Sequence, residues 1–438
     1  MSETMKVEIL SRETVKPSSP TPPHLRTVHL SFFDVMTPPV YTGGLLFYRI
    51  NGVAGEIGDI SGKLKKSLSE TLTRFYPLAG RINGKVIDCN DEGAVFIEAR
   101  VGSSLSDLLV NPSPSSLIGL LPDGRPRAGM WPLLLVQVTS FSCGGGFVVG
   151  ICLSHRVSDA TALSIFIRGW SATANGRGDT VAPGFTASRV FPSPPGQEPI
   201  VLPEKDETGE TKEPEFVTRR FVFEAEKIKQ LKNRASSEKV KDPTRFESIT
   251  ALMWRCALKA KRSNSANAKK PSVLQFPIDM RRRNISPVLS ENTVGNIISA
   301  SSVETDDPEM GIDELARKLR EGKEKASEKL RTKEPMKIAE EFEKNVGGFF
   351  YRKIIGAIDG YSSTSWGRSG FYETDLGFGH PIWVTPDSFD TKVELFAMLD
   401  TRDGHGTEVW VSLKVEEMAA VEKDDELNQY ALLNPSVV

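Results

Sequence analysis

The chain has 438 residues, 39% hydrophobic and 26% charged, which excludes a largely disordered, collagen-like or coiled-coil protein and leaves room for one large domain or two mid-sized ones. Lys plus Arg at 55 against Asp plus Glu at 57 gives a formal net charge of -2, too even for the basic footprint of a nucleic-acid binder. Cys89, Cys143, Cys152 and Cys256 lie far apart with no CxxC pair, the pattern of reduced thiols in a cytoplasmic protein rather than of a disulfide-stapled secreted one. Residues 1–20 contain no apolar core of a secretory signal. The apolar runs fall well short of the ~20 residues that span a bilayer, so no membrane partner is expected.

In chain order, the Pro-rich Lys16–Pro23 reads as a leading arm, because each Pro withholds a donor and fixes its own φ. Leu45–Ile50 reads as a short strand. Ile60, Leu64, Leu68 and Leu72, four apart between Lys and Glu, predict an amphipathic helix over Ile60–Arg74, stopped by Phe75–Gly80. Val86–Asp88 and Ala94–Glu98 read as strands paired across the turn Asn90–Gly93. Leu133–Ser140 and Phe147–Leu153 do not alternate, which predicts strands covered on both faces. A short polar turn, Ser154–Asp159, then leads into a helix over Ala160–Ala174 with Leu163, Phe166, Ile167 and Trp170 on one side.

Pro192–Pro214, rich in Pro, Gly, Glu and Lys, has the composition of an interdomain connection. It places an N-terminal domain over 1–200, a linker over 201–216 and a C-terminal domain over 217–438. Beyond it the pattern predicts a strand over Thr218–Phe223, helices over Glu224–Ala235 and Glu247–Lys261, and a loop over Lys261–Lys270. A strand over Val273–Ile278, a helix over Ile312–Lys329 and a hairpin of Leu395–Asp400 with Val409–Lys414 follow. Strands and helices alternate in both halves, the signature of an α/β protein with mixed sheets.

The five histidines include no HExxH and no Cys/His cluster, so no metal site is expected. No GxxxxGK[ST], strand-linked GxGxxG or GxSxG is present either. The sharpest feature is His155-Arg156-Val157-Ser158-Asp159, an HxxxD at the end of a buried strand. A histidine there can act as a general base, since an unperturbed imidazole, with a pKa of ~6.5, accepts a proton near neutral pH. Asp159 either orients that imidazole or caps the helix that follows. About 200 residues on stands Asp375-Leu376-Gly377-Phe378-Gly379, whose two glycines describe a sharply shaped loop.

Together these motifs resemble those of the plant BAHD acyltransferases, whose HxxxD is followed by DFGWG. The likeness extends to LTRFYPLAGRI, DCNDEG, LSHRVSDA, TSWGRSGFYETDLGFGHP and MLDTRDGHGTEVWVSL, nearest the vinorine synthase-like alcohol acyltransferase branch. DFGWG stands here as DLGFG, and Ser154 and Ala160 replace the flanking His and Gly of the HHxxxDG relatives. The resemblance implies a two-domain, chloramphenicol acetyltransferase-like fold with a channel between the domains and a crossover segment near 374–394. It implies a monomer with no permanent cofactor, using acyl-CoA as co-substrate to acylate a hydroxyl of a plant metabolite, with an acetyl or short branched acyl group.

By the same resemblance His155 is the base. Asp159 is structural and pairs with an arginine of Asp279–Arg283, Arg281 first and Arg283 next. Thr364 and Trp366 are the oxyanion donors, and Asp375, Gly377 and Gly379 form a structural loop. Thr244 and Arg245 lie beside the CoA phosphates, and Met36 and Tyr41 line the acceptor. Alternatives are a non-catalytic binding protein, suggested by the altered DLGFG, and an acyl-CoA hydrolase.

Overall fold

The computed structural model describes residues 5–50, 57–123, 131–200, 215–263, 270–307, 309–389 and 391–438. Its strands are β1 (Val7–Val15), β2 (Thr27–His29), β3 (Tyr41–Arg49), β4 (Arg81–Asn83), β5 (Val86–Asp88), β6 (Ala94–Val101), β7 (Leu134–Phe141) and β8 (Gly146–Ser154) in the first half. The second half holds β9 (Phe216–Phe223), β10 (Ser272–Asp279), β11 (Ile298–Thr305), β12 (Asp359–Ser365), β13 (Trp383–Pro386), β14 (Leu395–Asp400), β15 (Thr407–Lys414) and β16 (Leu432–Leu433). They form a six-stranded sheet in the order β1-β6-β7-β8-β3-β13, a seven-stranded sheet in the order β11-β10-β12-β14-β15-β9-β16, and a small sheet β2-β5-β4. Both large sheets are mixed, with β6–β7 parallel in the first and β10–β12–β14 parallel in the second.

The first sheet is sandwiched. On one side the helices Ile57–Arg74 and Ala160–Ala174 bury Leu64, Leu68, Leu72, Leu163, Phe166 and Trp170 against Phe147, Val149, Ile151 and Leu153 of β8. On the other, Leu45, Phe47 and Val148 meet Trp383, Ala397 and Trp410. Apolar side chains point both ways, so β7 and β8 cannot alternate. Each large side chain so buried stabilises the fold by roughly 1.5–3 kcal/mol. Trp170 keeps its polar edge satisfied by donating Nε1–H to Ser67 Oγ at 2.9 Å. The second sheet packs chiefly on the helices Ala225–Arg234, Arg245–Ser263 and Ile312–Thr332, with Ile249, Leu252, Met253 and Cys256 buried as the spacing predicts.

The sheets are tied by a strand out of order. β13 pairs antiparallel with β3, from Trp383 opposite Phe47 to Pro386 opposite Gly44. Trp383 Nε1–H donates to Glu408 of β15, and Glu408 pairs with Arg220 of β9 at 3.2 Å. A strand late in the chain thus completes the early sheet while its side chain is bonded into the late one.

Several local expectations change. β5 does not pair with β6: it lies between β2 and β4, and β6 runs in the large sheet between β1 and β7. Asp91 has φ 58 and accepts the N–H and hydroxyl of Thr21, while the Gly93 N–H donates to Ala79. The turn therefore feeds two sheets instead of closing a hairpin. Ahead of the Pro-rich arm lies a true edge strand, β1, and Ser363–Ser365 end β12. The helix Pro335–Ile354 carries no expectation from the sequence. Residues 201–214 of the expected linker and 264–269 of the expected loop lie outside the described residues.

Candidate active site

β8 ends at Ser154, and His155–Val157 make one 3-10 turn before Asp159 caps the helix Ala160–Ala174. The buried strand fixes where the turn begins and the helix fixes where it ends, so a four-residue interval is held at both sides. His155 is half-buried, its N–H donating to Val40 at 2.8 Å and its carbonyl accepting from Asn296 Nδ2 at 2.6 Å.

Asp159 points away into the protein. Its Oδ1 accepts from the Ala162 N–H at 2.8 Å, the capping bond, and from Arg281 at 3.0 Å. Its Oδ2 accepts from Arg281 at 2.9 Å and from the Ile297 N–H at 3.0 Å. The two expectations for Asp159, cap and arginine partner, are thus both realised in its bonding, and the arginine is Arg281. Arg283 instead donates to Ser327. Arg281 also bonds Asp279, Thr293 and Gly295, so its buried guanidinium is fully engaged. Burial opposes its charge, yet the Asp159 and Asp279 carboxylates hold its pKa above the ordinary value.

A second buried carboxylate stands beside the first. Asp34 closes a capping box with Ser31, whose N–H and Oγ both donate to Oδ2, and its Oδ1 accepts the N–H and Nδ2–H of Asn296 at 2.8 and 2.9 Å. Burial pushes the Asp34 carboxyl up, against the downward pull of these bonds. Asn296 and Ile297 are consecutive, so one short stretch of chain holds His155 at one end of the HxxxD and Asp159 at the other. Ser31, Asp34 and Asn296 carry no expectation from the sequence. The Ser-x-x-Asp spacing of a capping box is the signal that marks Asp34.

The other expected residues divide. Tyr41, opposite Ser154 in the β3–β8 register, packs on Trp131 and donates its hydroxyl to Pro132 at 2.5 Å. Met36 lies against the second core, its sulfur 2.8 Å from Gln197 Nε2. Thr364 lies on β12 and is half-buried. Trp366 commits its N–H to Met398 at 2.8 Å and packs its ring on Phe371, which removes its backbone as an oxyanion donor. Thr244 and Arg245 stand at the start of the helix Arg245–Ser263. Thr244 forms a reciprocal cap with Glu247, and Arg245 donates one guanidinium nitrogen, Nη1, to the carbonyls of Gly404, His405 and Gly406.

Asp375 organises its own loop, Oδ1 accepting the N–H groups of Gly377, Phe378 and Gly379 at 2.7–2.9 Å. Gly377 and Gly379 take φ 92 and 82, a region open to glycine. Ser171 and Asn175 dock this loop at the far end of the helix that Asp159 begins. Fifteen residues separate the helix ends, ~22 Å at ~1.5 Å per residue. Leu376 is buried, and Phe378 packs on Phe147 at 5.2 Å. Burial pushes the thiols of Cys89 (to about 12), Cys152 and Cys256 up, so none of the three is a thiolate nucleophile near neutral pH.

Two tied lobes with an HxxxD loop clasped between them define an acyltransferase of the two-domain, CoA-dependent class. The Transferase family model matches residues 5–428. The chain is similar to BAHD acyltransferase BIA1 of Arabidopsis thaliana, 38% identical with 99% of each chain covered. It is also similar to an epi-neemfruitin B 7-O-acetyltransferase of Melia azedarach, 34% identical over 99% of this chain and 100% of the relative. Vinorine synthase shares its fold at a TM-score of 0.81, with 29% identity over 99% of this chain and 100% of that structure. The chain belongs to the plant BAHD acyltransferase family and is an acyl-CoA-dependent O-acyltransferase with acyl-CoA as its co-substrate.

Proposed function

We propose that this chain moves a small acyl group, acetyl or short branched, from acyl-CoA to a hydroxyl of a plant specialised metabolite, with His155 as the base. The observation that carries the reading is the clasp around His155: both of its backbone polar groups are bonded while Asp159 is turned away into Arg281. The main chain at His155 is held in this way without the aspartate touching the imidazole. His155 Nε2 takes the proton of the acceptor hydroxyl as that oxygen bonds to the thioester carbonyl carbon. The C–S bond then breaks, the thiolate regains a proton from the imidazolium, and an ester and free CoA leave. Holding both substrates at once makes the attack effectively intramolecular. The Thr364 hydroxyl is the donor we assign to the developing oxyanion.

We read 1–200 and 217–438 as the two domains, with 374–394 as the segment that crosses back, and the protein as a cytoplasmic monomer. No helix among the described residues is long and apolar enough to cross a membrane. The test is to follow free thiol from acetyl-CoA with a panel of alcohols. Release should require an alcohol, and His155→Ala should abolish it while CoA still binds. Near-normal turnover in that variant overturns the base assignment, and release without alcohol makes the protein a hydrolase.

A further inference from the structure

Two buried polar atoms beside the HxxxD loop, His155 Nδ1 and Asn296 Oδ1, have no hydrogen-bond partner among the described residues. They belong to residues already in contact, because Asn296 Nδ2 donates to the main-chain carbonyl of His155. The amide orientation is fixed by chemistry. Nδ2 faces two acceptors, Asp34 Oδ1 at 2.9 Å and the His155 carbonyl at 2.6 Å, so the other amide atom must be the acceptor Oδ1. Asp34 holds the Asn296 backbone N–H as well, so the amide cannot swing away without breaking a buried cluster. Gly295, at φ 129, lets the chain pass beside the Asp34 carboxylate, where an added Cβ would sit 3.5 Å from both of its oxygens.

A neutral imidazole carries one N–H. With the proton on Nε2, Nδ1 and Asn296 Oδ1 are both buried acceptors and neither is satisfied. With the proton on Nδ1, the ring carries the donor that Asn296 Oδ1 lacks, and Nε2 is left unprotonated. We propose that Asn296 is a positioning residue that sets the tautomer of His155, its Oδ1 accepting the Nδ1–H so that the Nε2 lone pair faces the acceptor hydroxyl. Asp34 acts one step further out, by holding Asn296.

This rests on His155 being the base, and the test separates the two ideas. In the full-length protein labelled with 15N at the histidine rings, with His155→Ala used to assign the signal, His155 should show a protonated Nδ1 and an unprotonated Nε2. Asn296→Ala should shift it toward Nε2–H and lower kcat about 10- to 100-fold, while KM for acetyl-CoA stays within about twofold. A wild-type protein with the proton on Nε2 overturns the inference, as does an Asn296→Ala variant that keeps both tautomer and kcat. Should that variant not fold, the wild-type spectrum alone decides. A wild type that acylates no alcohol defeats the base assignment instead, and leaves the tautomer measurable.

Discussion

Asp159 and Asp375 are both loop carboxylates at an end of the helix Ala160–Ala174, yet they do opposite kinds of work. Asp375 bonds the three backbone N–H groups that follow it, so its loop is closed within five residues and merely docked on Ser171 and Asn175. Asp159 reaches one local N–H and otherwise binds Arg281 and Ile297, more than a hundred residues away. The first is a local fold that any neighbour of the right shape can carry. The second joins the two halves of the chain at the loop that carries His155.

The largest effect that comparison predicts is at Arg281. Removing it by Arg281→Ala leaves a buried, unpaired carboxylate and should cost ~3–5 kcal/mol of stability in denaturant titration, with transfer lost alongside. Asp375→Ala should cost less, ~1.5–3 kcal/mol for hydrogen bonds to a charged acceptor, and the folded fraction should keep near-normal kcat. A collapse of kcat in well-folded Asp375→Ala would erase the distinction between the loops. Smallest is Phe378→Trp, which restores the usual family residue. It should change stability by less than ~1.5 kcal/mol and leave kcat and KM unaltered, as measured by melting and by thiol release.

What was legible in the sequence follows the same division. The helix Ala160–Ala174 and the β14–β15 hairpin were readable because local periodicity and turn residues decide them. His155 was readable because a buried strand, a polar turn and a helix follow one another without a gap. The true partners of β5 and β6 were not, because pairing across sheets depends on where Asp91 is tied, not on the turn alone. β1 was hidden by its charges: Glu8, Arg12 and Glu13 suit an exposed edge strand and also suit an arm. Asn296 was invisible because its value lies wholly in reaching His155 and Asp34 from the other half of the chain. The bonds of Arg245 to the carbonyls of a distant turn were likewise invisible, because a basic residue near a helix start looks the same whatever it faces.

The pairing of β13 with β3 also sets a timetable for synthesis on the ribosome. β3 and β8 are complete once Ser154 has emerged, but the strand that covers the open edge of β3 ends only at Pro386. At ~5–20 residues per second that edge waits roughly 10–50 s. During that interval the apolar residues of β3 are open to pairing with another nascent chain. Only when Trp383 to Pro386 dock does that interval close, so the two lobes are locked together by a strand made late.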